Sequence, residues 1–309
     1  MSKNRKIIII ASVAIVAVVI AGLAVFAVCL DYIYVNISAE DPPAQVADFE
    51  DKADDTIRIM SFNIRCTNLG PIPKIARHSL VEETIINSEA DSFGVQEATP
   101  SWMNYLSDAL EDKYGYVGVG RNNGKNSGEY SAIFYLKDKY ELIDSGTFWL
   151  SETPDEPSKG WDASFKRICT WAVLENKATG ERYAHFNAHF DHKGVEARKN
   201  SVDLILSKIS EYGDIPVVFT ADMNIEEGTE AYTRMLADGT LTDAKYTAEE
   251  TMDYLTFHNL TPSENETKIL DYVMINDEFD AEVYKVVTAG FDGKYVSDHF
   301  PVYADLNLK

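Results

Sequence analysis

The sequence predicts an α+β protein built from stacked β-sheets. Apolar segments with the length of strands recur along the chain, some of them joined by hairpin turns. Helical segments separate the strands that no hairpin joins, and strands and helices do not alternate regularly. The 309 residues suffice for one large domain or two small ones, and 45% hydrophobic and 11% aromatic residues can fill a core.

The N-terminus has the pattern of a membrane anchor. Residues 1–6 are basic, residues 7–30 carry no charge, and acidic residues follow. A helix over 7–30 would cross a hydrocarbon core of about 30 Å, with the N-terminus in the cytoplasm and the rest of the chain outside the cell membrane. The alternative is a cleaved signal peptide and a secreted protein. Residues 31–55 then read as a flexible acidic linker, and residues 56–309 as the catalytic domain.

The first half of this domain contains five predicted strands and two predicted helices. The strands are 57–64, 91–97, 115–120, 130–136 and 140–150, and the helices are 74–88 and 100–110. Thr99-Pro100 is a capping residue followed by a first-turn proline, which starts the second helix. The candidate core residues of the first helix are Ile75, Leu80, Ile85 and Ile86. Residues 140–150 form either one strand or a bent hairpin.

The second half begins after a long irregular loop at 151–166, a length that is often functional. The predicted strands are 167–174, 182–190, 215–220, 268–275, 281–288 and a last strand in which Val302, Ala304, Leu306 and Leu308 alternate. The predicted helices are 195–212 and 229–237. Helical spacing places Val202, Ile205, Leu206 and Ile209 on one buried face.

Polar residues stand at the ends of several predicted strands. The set comprises Asn63, Glu97, His189, Asp222, Asn224, Asp271, Asp298 and His299. A rigid scaffold holds such positions in place, which suits them to binding or catalysis. Because the set offers carboxylate and amide oxygens and no thiolate, Mg²⁺ or Mn²⁺ fits it better than Zn²⁺. The imidazoles and Asp222 add acid–base groups.

Eight short motifs carry a resemblance to a known family. They are SFNIR (61–65), GVQE (94–97), GEYSAIFY (128–135), KRICTW (166–171), NAHFDH (187–192), TADMN (220–224), ILDYV (269–273) and SDHFP (297–301). In this order they resemble the endonuclease/exonuclease/phosphatase superfamily, and FWLSETP (148–154) with GWDA (160–163) resembles a bacterial branch of it. The resemblance implies a four-layer α/β/β/α sandwich of two mixed sheets that hydrolyses phosphate esters by direct attack of water.

The same resemblance implies a metal site and a phosphate site. Glu97 would be the main ligand of Mg²⁺ or Mn²⁺, with Asn63 beside it and Asp298 near or on the metal. Arg167 would clamp a phosphate oxygen, and Asn224 would donate a hydrogen bond to the phosphoryl group. Phosphoryl transfer depends mainly on charge neutralisation and in-line positioning, which such residues supply.

The acid–base roles are also implied by the resemblance. Asp271 would hydrogen-bond one nitrogen of His299 and orient its ring. Either His299 activates the attacking water, or His299 contacts the phosphate while Asp222 activates the water. His189 would stabilise the transition state or assist the leaving oxygen.

Charge and composition narrow the choice of partners. A net charge of −22 argues against a passive binder of nucleic acid, although an extracellular nuclease and a catalytically silent surface module stay as alternatives. The expected substrate is a phosphate ester on a small molecule, a lipid head group or a nucleic acid. The N-terminal helix is expected to contact the lipid bilayer. The protein is expected to be a monomer. Glu129 with Tyr130 either lines the pocket or pairs on an edge strand. Cys66 and Cys169 are expected to be free thiols.

Overall fold

The computed structural model describes residues 49–53, 55–67, 74–213, 215–261, 268–288, 290 and 294–309, with only the backbone described for 74–76. They belong to one compact unit, Gln45–Lys309. The predicted segments 1–6 and 7–30, and most of the linker 31–55, lie outside the described residues. Within the described part of the chain, no helix is long and apolar enough to cross a membrane.

The described residues form short helices and strands in an irregular order along the chain. The helices are α1 (Lys74–Ser88), α2 (Pro100–Ala109), α3 (Val195–Ser210), α4 (Glu230–Leu236) and α5 (Ala244–Thr247). The strands of the first half are β1 (Ile57–Asn63), β2 (Ser92–Gln96), β3 (Tyr114–Val117), β4 (Ile133–Leu136) and β5 (Tyr140–Trp149). The later strands are β6 (Ile168–Asn176), β7 (Arg182–His189), β8 (Val217–Asp222), β9 (Thr242–Asp243), β10 (Glu250–Thr251), β11 (Asp271–Ile275), β12 (Phe279–Val286) and β13 (Val302–Leu308).

These strands form two mixed sheets. One sheet has seven strands in the order β10-β12-β13-β1-β2-β4-β3, and the other has six in the order β5-β6-β7-β8-β11-β9. The pairs β1–β2, β7–β8 and β10–β12 are parallel, and the remaining pairs are antiparallel. Hairpins and parallel crossovers therefore occur together, which confirms the predicted α+β class.

Three apolar clusters define the layers. The first cluster joins α1 and α2 to the outer face of the seven-stranded sheet. The second joins α3 and α4 to the outer face of the six-stranded sheet, and the third lies between the two sheets. Alternation along β1 shows why both of its faces are buried: Ile57 and Ile59 belong to the cluster between the sheets, whereas Met60 and Phe62 face the helices.

A buried polar layer also joins the two sheets. Gln96 donates from Nε2 to Asn187 Oδ1 at 2.7 Å and to Ser61 Oγ at 3.0 Å. Asn187 donates from Nδ2 to the carbonyl oxygens of Val95 and Ala132, both at 3.0 Å. Since a buried polar group without a partner is costly, these bonds fix how the sheets sit against each other.

The polar layer continues through His185. Its two ring nitrogens lie 2.8 Å from the hydroxyl oxygens of Ser92 and Thr220. The sheets are so close here that only glycine fits at position 94. A Cβ on Gly94 would lie 2.3 Å from Asn187 Oδ1 and 2.4 Å from Thr220 Oγ1.

Several predicted boundaries need correction. Ile86 is not a core residue, because its side chain is 39% exposed, whereas Leu80 and Ile85 are buried. The side chain of Ile75 lies outside the described residues. The strand predicted at 215–220 is β8, which begins after Pro216, since proline has no N–H for the ladder.

Other differences concern short or bent elements. Residues 140–150 form one strand with a bulge between Leu142 and Asp144 rather than a hairpin. The sequence did not predict β9, α5 and β10, which have two to four residues and show no periodic pattern. The long loop at 151–166 is confirmed, since it contains no helix or strand, and Cys66 and Cys169 are free.

We expect Gly94→Ala to lower the free energy of unfolding by about 2–3 kcal/mol, because the added methyl group overlaps two side chains of the opposite sheet. Denaturant titration measures the change. The matched control is Gly180→Ala, where a Cβ meets nothing within 4 Å and only the backbone angle φ of +77° opposes alanine. Gly180→Ala should lower the free energy of unfolding by about 1 kcal/mol. Equal losses of unfolding free energy in the two variants would contradict the steric explanation.

Candidate active site

The register of the six-stranded sheet brings three predicted site residues side by side. His189 ends β7 and pairs with Asp222, which ends the parallel strand β8. Asp271 begins β11 and pairs with the same Asp222, because β11 runs antiparallel to β8. In the other sheet, Asn63 ends β1 and Glu97 directly follows β2. The strand ends of both sheets therefore meet at one edge of the sandwich.

Asp222 lies at the centre of this edge. Its Oδ2 accepts a hydrogen bond from Asn63 Nδ2 at 2.8 Å, which joins the two sheets. The same oxygen is 3.4 Å from His189 Nε2 and 3.8 Å from His299 Nε2. Burial raises the pKa of Asp222 to about 7; His299 acts against the rise, and Asp271 adds to it. A carboxyl group with a pKa near neutrality can accept a proton from water.

His299 lies in the loop that precedes β13 and is held by Asp271. Its Nδ1 is 2.8 Å from Asp271 Oδ2, as the resemblance implied. Thr256 donates from Oγ1 to the same oxygen at 2.7 Å. Burial alone would lower the pKa of His299, but Asp271 and Asp222 outweigh it and raise the pKa to about 10. In the metal-free protein the raised pKa favours the charged form of the imidazole, which suits contact with a phosphate oxygen.

Glu97 has a carboxylate that is held in its ionised form. Burial acts to raise its pKa, but the hydrogen bond from the Cys66 N–H to Oε2, at 2.7 Å, and the Asn63 side chain outweigh burial and lower it. The backbone of Glu97 has a φ of +61°, and Arg65 and Asn224 in the same region have φ values of +59° and +48°. Such strain in residues other than glycine is typical of functional sites.

Two sets of residues have the chemistry of a metal site. Among the described residues, ligand atoms of Asp222, Asp271 and His299 lie within 4.8 Å of one another, so this group could bind a metal ion. Mg²⁺ and Mn²⁺ prefer oxygen ligands to an imidazole nitrogen, and the ionised oxygen of Glu97 is such a ligand. Asp298 is half-buried, with its Oδ2 at 3.4 Å from Arg65 Nε.

Two buried nitrogen atoms in this region have no partner. Within the described part of the chain, Arg167 Nη1 and His189 Nδ1 are buried and have no hydrogen-bond partner. The other ring nitrogen of His189, Nε2, lies 3.1 Å from Asn224 Nδ2 and 3.4 Å from Asp222 Oδ2. Burial, followed by the charges of Arg167 and Arg121, lowers the pKa of His189, which is therefore uncharged. Phosphate oxygens are acceptors of the kind that such donors need.

Asp191 holds Arg167 in this position. Its Oδ2 is 3.5 Å from Arg167 Nε and accepts from the Phe165 N–H at 3.2 Å. Its Oδ1 accepts from the backbone N–H groups of Lys193 and Gly194 at 3.0 and 2.9 Å. Asp191 therefore contacts Arg167 and closes the turn that leads into α3.

Sequence reasoning missed Arg77, which lies on the buried face of α1. Its guanidinium donates to the carbonyl oxygens of Ile64, Arg65 and Thr67 after β1, and to that of Val296 before Asp298. It thus fixes the segment that follows Asn63 and the loop that carries Asp298. The available signal was an arginine three residues before Leu80 on the apolar helix face. Thr256 was also missed, and no pattern around it indicated its role.

Comparisons with known proteins agree with this arrangement at the level of the fold and the family. No protein-family model matches the chain. Over 122 residues the chain is 29% identical to the uncharacterized protein L388 of Acanthamoeba polyphaga mimivirus, a match that spans 37% of this chain and only 42% of that protein.

Solved structures match nearly the whole described region. An endonuclease/exonuclease/phosphatase from Bacteroides vulgatus is 36% identical, with a TM-score of 0.77, over 82% of this chain and 99% of that one. A family protein from Bacteroides thetaiotaomicron is 33% identical, with a TM-score of 0.77, over 81% of this chain and 97% of that one. A mannosyl-6-phosphatase of Bacteroides thetaiotaomicron is 34% identical, with a TM-score of 0.74, over 81% of this chain and 99% of that one.

We expect Asp271→Asn to lower the pKa of His299 well below 10, because the neutral amide no longer stabilises the imidazolium. NMR titration of the metal-free protein measures this pKa. The matched control is Asp243→Asn, a buried carboxyl that contacts Tyr232, and it should leave the pKa of His299 unchanged.

The same substitution should change the pH dependence of stability. A folded-state pKa above the ordinary value of about 6.5 stabilises the fold below that pH, and the contribution is lost as pH rises through about 10. In Asp271→Asn the contribution of the charged His299 to the free energy of unfolding should be smaller, and it should be lost at a lower pH. An unchanged His299 titration would contradict the assigned pair.

Proposed function

This chain belongs to the endonuclease/exonuclease/phosphatase family, and we propose that it is a metal-dependent phosphatase that hydrolyses phosphate monoesters. The observation that carries the proposal is the position of Asp222, with a pKa near neutrality, between His189, Asn63 and His299. This position supports the proposal, because Asp222 could accept a proton next to the imidazole of His299 and next to His189, whose Nδ1 has no partner among the described residues.

In the proposed reaction, Asp222 accepts a proton from a water molecule whose oxygen attacks phosphorus. The bond from phosphorus to the ester oxygen breaks on the opposite side, and the departing alkoxide takes a proton from solvent, which yields an alcohol and phosphate. In this proposal His299, held by Asp271, supplies positive charge and Asp222 acts as the base, which is the second of the two arrangements that the resemblance implied. Burial, which raises the pKa of Asp222, supports this choice.

The phosphoryl oxygens would be held by donors that the fold positions in advance. Arg167 offers Nη1, and Asn224 and His189 lie beside Asp222. Such fixed donors stabilise the charge of the transition state without reorganisation. A Mg²⁺ or Mn²⁺ ion bound by Glu97, with Asn63 and Asp298 nearby, would add neutralisation of phosphoryl charge.

A phosphate monoester is favoured over a nucleic acid. The relative named as a mannosyl-6-phosphatase is 34% identical over 99% of its chain, which supports a monoester substrate. The net charge of −22 opposes the approach of a polyanion. Erosion of the site would indicate a silent binding module, but Glu97, Asp222 and His299 all stand in the predicted motifs.

We also propose that residues 7–30 anchor the enzyme in the cell membrane, with the catalytic domain outside. Their lack of charge and the basic residues before them support this orientation. Protease treatment of intact cells should remove the catalytic domain from the membrane fraction. Protection from protease in intact cells, with cleavage only after lysis, would overturn the orientation, and a shortened chain free in the medium would indicate secretion.

We expect Glu97→Gln and Asp222→Asn each to lower kcat/KM for phosphate monoesters at least about 10³-fold, because one weakens the metal site and the other removes the base. The assay compares an aryl phosphomonoester, an aryl phosphodiester, DNA, RNA and a phospholipid, with Mg²⁺ or Mn²⁺ against a chelator. The matched control is Glu230→Gln, an exposed carboxylate that pairs with Lys199.

Circular dichroism shows whether the variants are folded. Full metal-dependent activity in a folded Glu97→Gln or Asp222→Asn protein would refute the site. Turnover of DNA or RNA in preference to monoesters would move the function to a nuclease. The absence of metal binding and of turnover together would favour the silent binding module.

A further inference from the structure

Two consecutive residues, Arg65 and Cys66, contact all three side chains that are predicted to bind the metal. The backbone N–H of Arg65 donates to Asn63 Oδ1 at 2.9 Å, and the N–H of Cys66 donates to Glu97 Oε2 at 2.7 Å. The side chain of Arg65 reaches the third residue, since its Nε is 3.4 Å from Asp298 Oδ2. One oxygen of each predicted ligand is therefore engaged by the same short segment of the protein.

The fold holds this segment in place. The backbone of Arg65 has a φ of +59°, which residues other than glycine rarely adopt. The N–H of Ile64 donates to the carbonyl oxygen of Gln96 at 3.2 Å, and Arg77 donates to the carbonyl oxygens of Ile64 and Arg65. The position of the Arg65 guanidinium next to Asp298 is therefore set by contacts with the sheet and with α1.

Arg65 brings a positive charge to this group of acids. Its side chain is only 12% exposed, and a guanidinium with so little access to water requires an anionic partner. Among the residues that the structure describes, Asp298 is the carboxylate that forms an ion pair with it. Arg65 therefore compensates part of the negative charge that Glu97 and Asp298 bring to this edge of the sandwich.

The pair of Arg65 and Asp298 is a loose one. Its separation of 3.4 Å is within the range of an ion pair, but Arg65 Nε is buried and makes no hydrogen bond within the described region. The other oxygen of Asp298, Oδ1, lies 3.4 Å from Ser297 Oγ. Both contacts are long for hydrogen bonds, so a divalent ion, with twice the charge of a guanidinium, could replace Arg65 at this carboxylate.

We propose that Arg65 is the counter-cation of the metal site: it pairs with Asp298 while no metal is bound, and a divalent ion has to displace it. Arg65 thereby weakens the binding of the metal and holds the carboxylate in place before the metal binds. It is a positioning residue that acts through Asp298. The inference rests on the proposed metal-dependent function and adds control of the metal affinity to it.

The test measures the binding of Mn²⁺ to the full-length protein from the electron paramagnetic resonance signal of the free ion, and it needs no substrate. Because a chain with a net charge of −22 can bind Mn²⁺ at other acidic places, only the binding that is lost in Glu97→Gln is assigned to the site. We expect Arg65→Met to lower the Kd of this site about 10-fold, because the competing charge is removed. Arg65→Lys keeps the charge and should bind Mn²⁺ with nearly the wild-type Kd.

Two comparisons isolate the pair with Asp298. Arg182→Met is the matched control, because it removes the same charge from an exposed pair with Glu175 at the end of β7 that is far from His189. It should leave the Kd unchanged, since salt screens distant exposed charges. In the Asp298→Asn background, Arg65→Met should no longer tighten the binding, because the amide has no charge to pair with Arg65.

The outcomes separate this inference from the proposed function. An unchanged or weaker affinity for Mn²⁺ in Arg65→Met, shown to be folded by circular dichroism, overturns the counter-cation role and leaves the metal-dependent hydrolysis intact. A gain that persists in Asp298→Asn, or that Arg182→Met reproduces, also overturns it, since the effect would then come from net charge alone. If the wild-type protein binds no Mn²⁺ that Glu97→Gln removes, the proposed metal site fails first, and the inference with it.

Discussion

The close approach of the two sheets is the constraint on which the site depends. Gln96 and Asn187 bridge the sheets with bonds to side chains and to backbone carbonyls, and Gly94 leaves the space that Asn187 and Thr220 fill. The bond from Asn63 to Asp222 extends this connection to the edge where the strands end. Because a slip of one residue in either sheet would turn these polar groups to the wrong face, the register and the site are fixed together.

The same layer explains how buried charges coexist at this edge. Asp222 and Asp271 are both buried, and two neighbouring carboxylates repel each other. His299 lies near both carboxylates, with Nε2 3.8 Å from Asp222 Oδ2 and Nδ1 2.8 Å from Asp271 Oδ2. A positive charge on its ring therefore reduces the repulsion between the two acids. The outcome is a division of roles, in which Asp271 holds the ring and Asp222 has a pKa that suits proton transfer. Asn63 donates a hydrogen bond to Asp222, and Thr256 donates one to Asp271.

The loops around the site are fixed by side chains that do not themselves contact the substrate in the proposed mechanism. Arg77 binds the segment that follows Asn63 and the loop that carries Asp298, through carbonyl oxygens of four residues. Asp191 and Asp162 attach the long loop at 151–166 to the start of α3. Precise placement of catalytic groups requires supporting contacts of this kind.

The fold class, the order of most elements and the set of candidate residues follow from local patterns in the sequence. Strand and helix periods are local, so β1, α1 and α3 were predicted closely, and the motifs named Asn63, Glu97, Asp222 and His299. The sequence also indicated a metal site, and the roles at that site remain predictions. The charged state of His299 could not be predicted, since its pKa depends on burial and on the distances to Asp271 and Asp222.

Which residues meet across the chain depends on the tertiary structure. Arg77 and Thr256 act through contacts with distant segments, and Phe165 meets Arg121 from a separate stretch. The short elements β9, α5 and β10 are stabilised by neighbours rather than by a local pattern. A local pattern reports which face of an element is apolar, whereas pairings between distant segments depend on packing and register, which no short stretch of sequence contains.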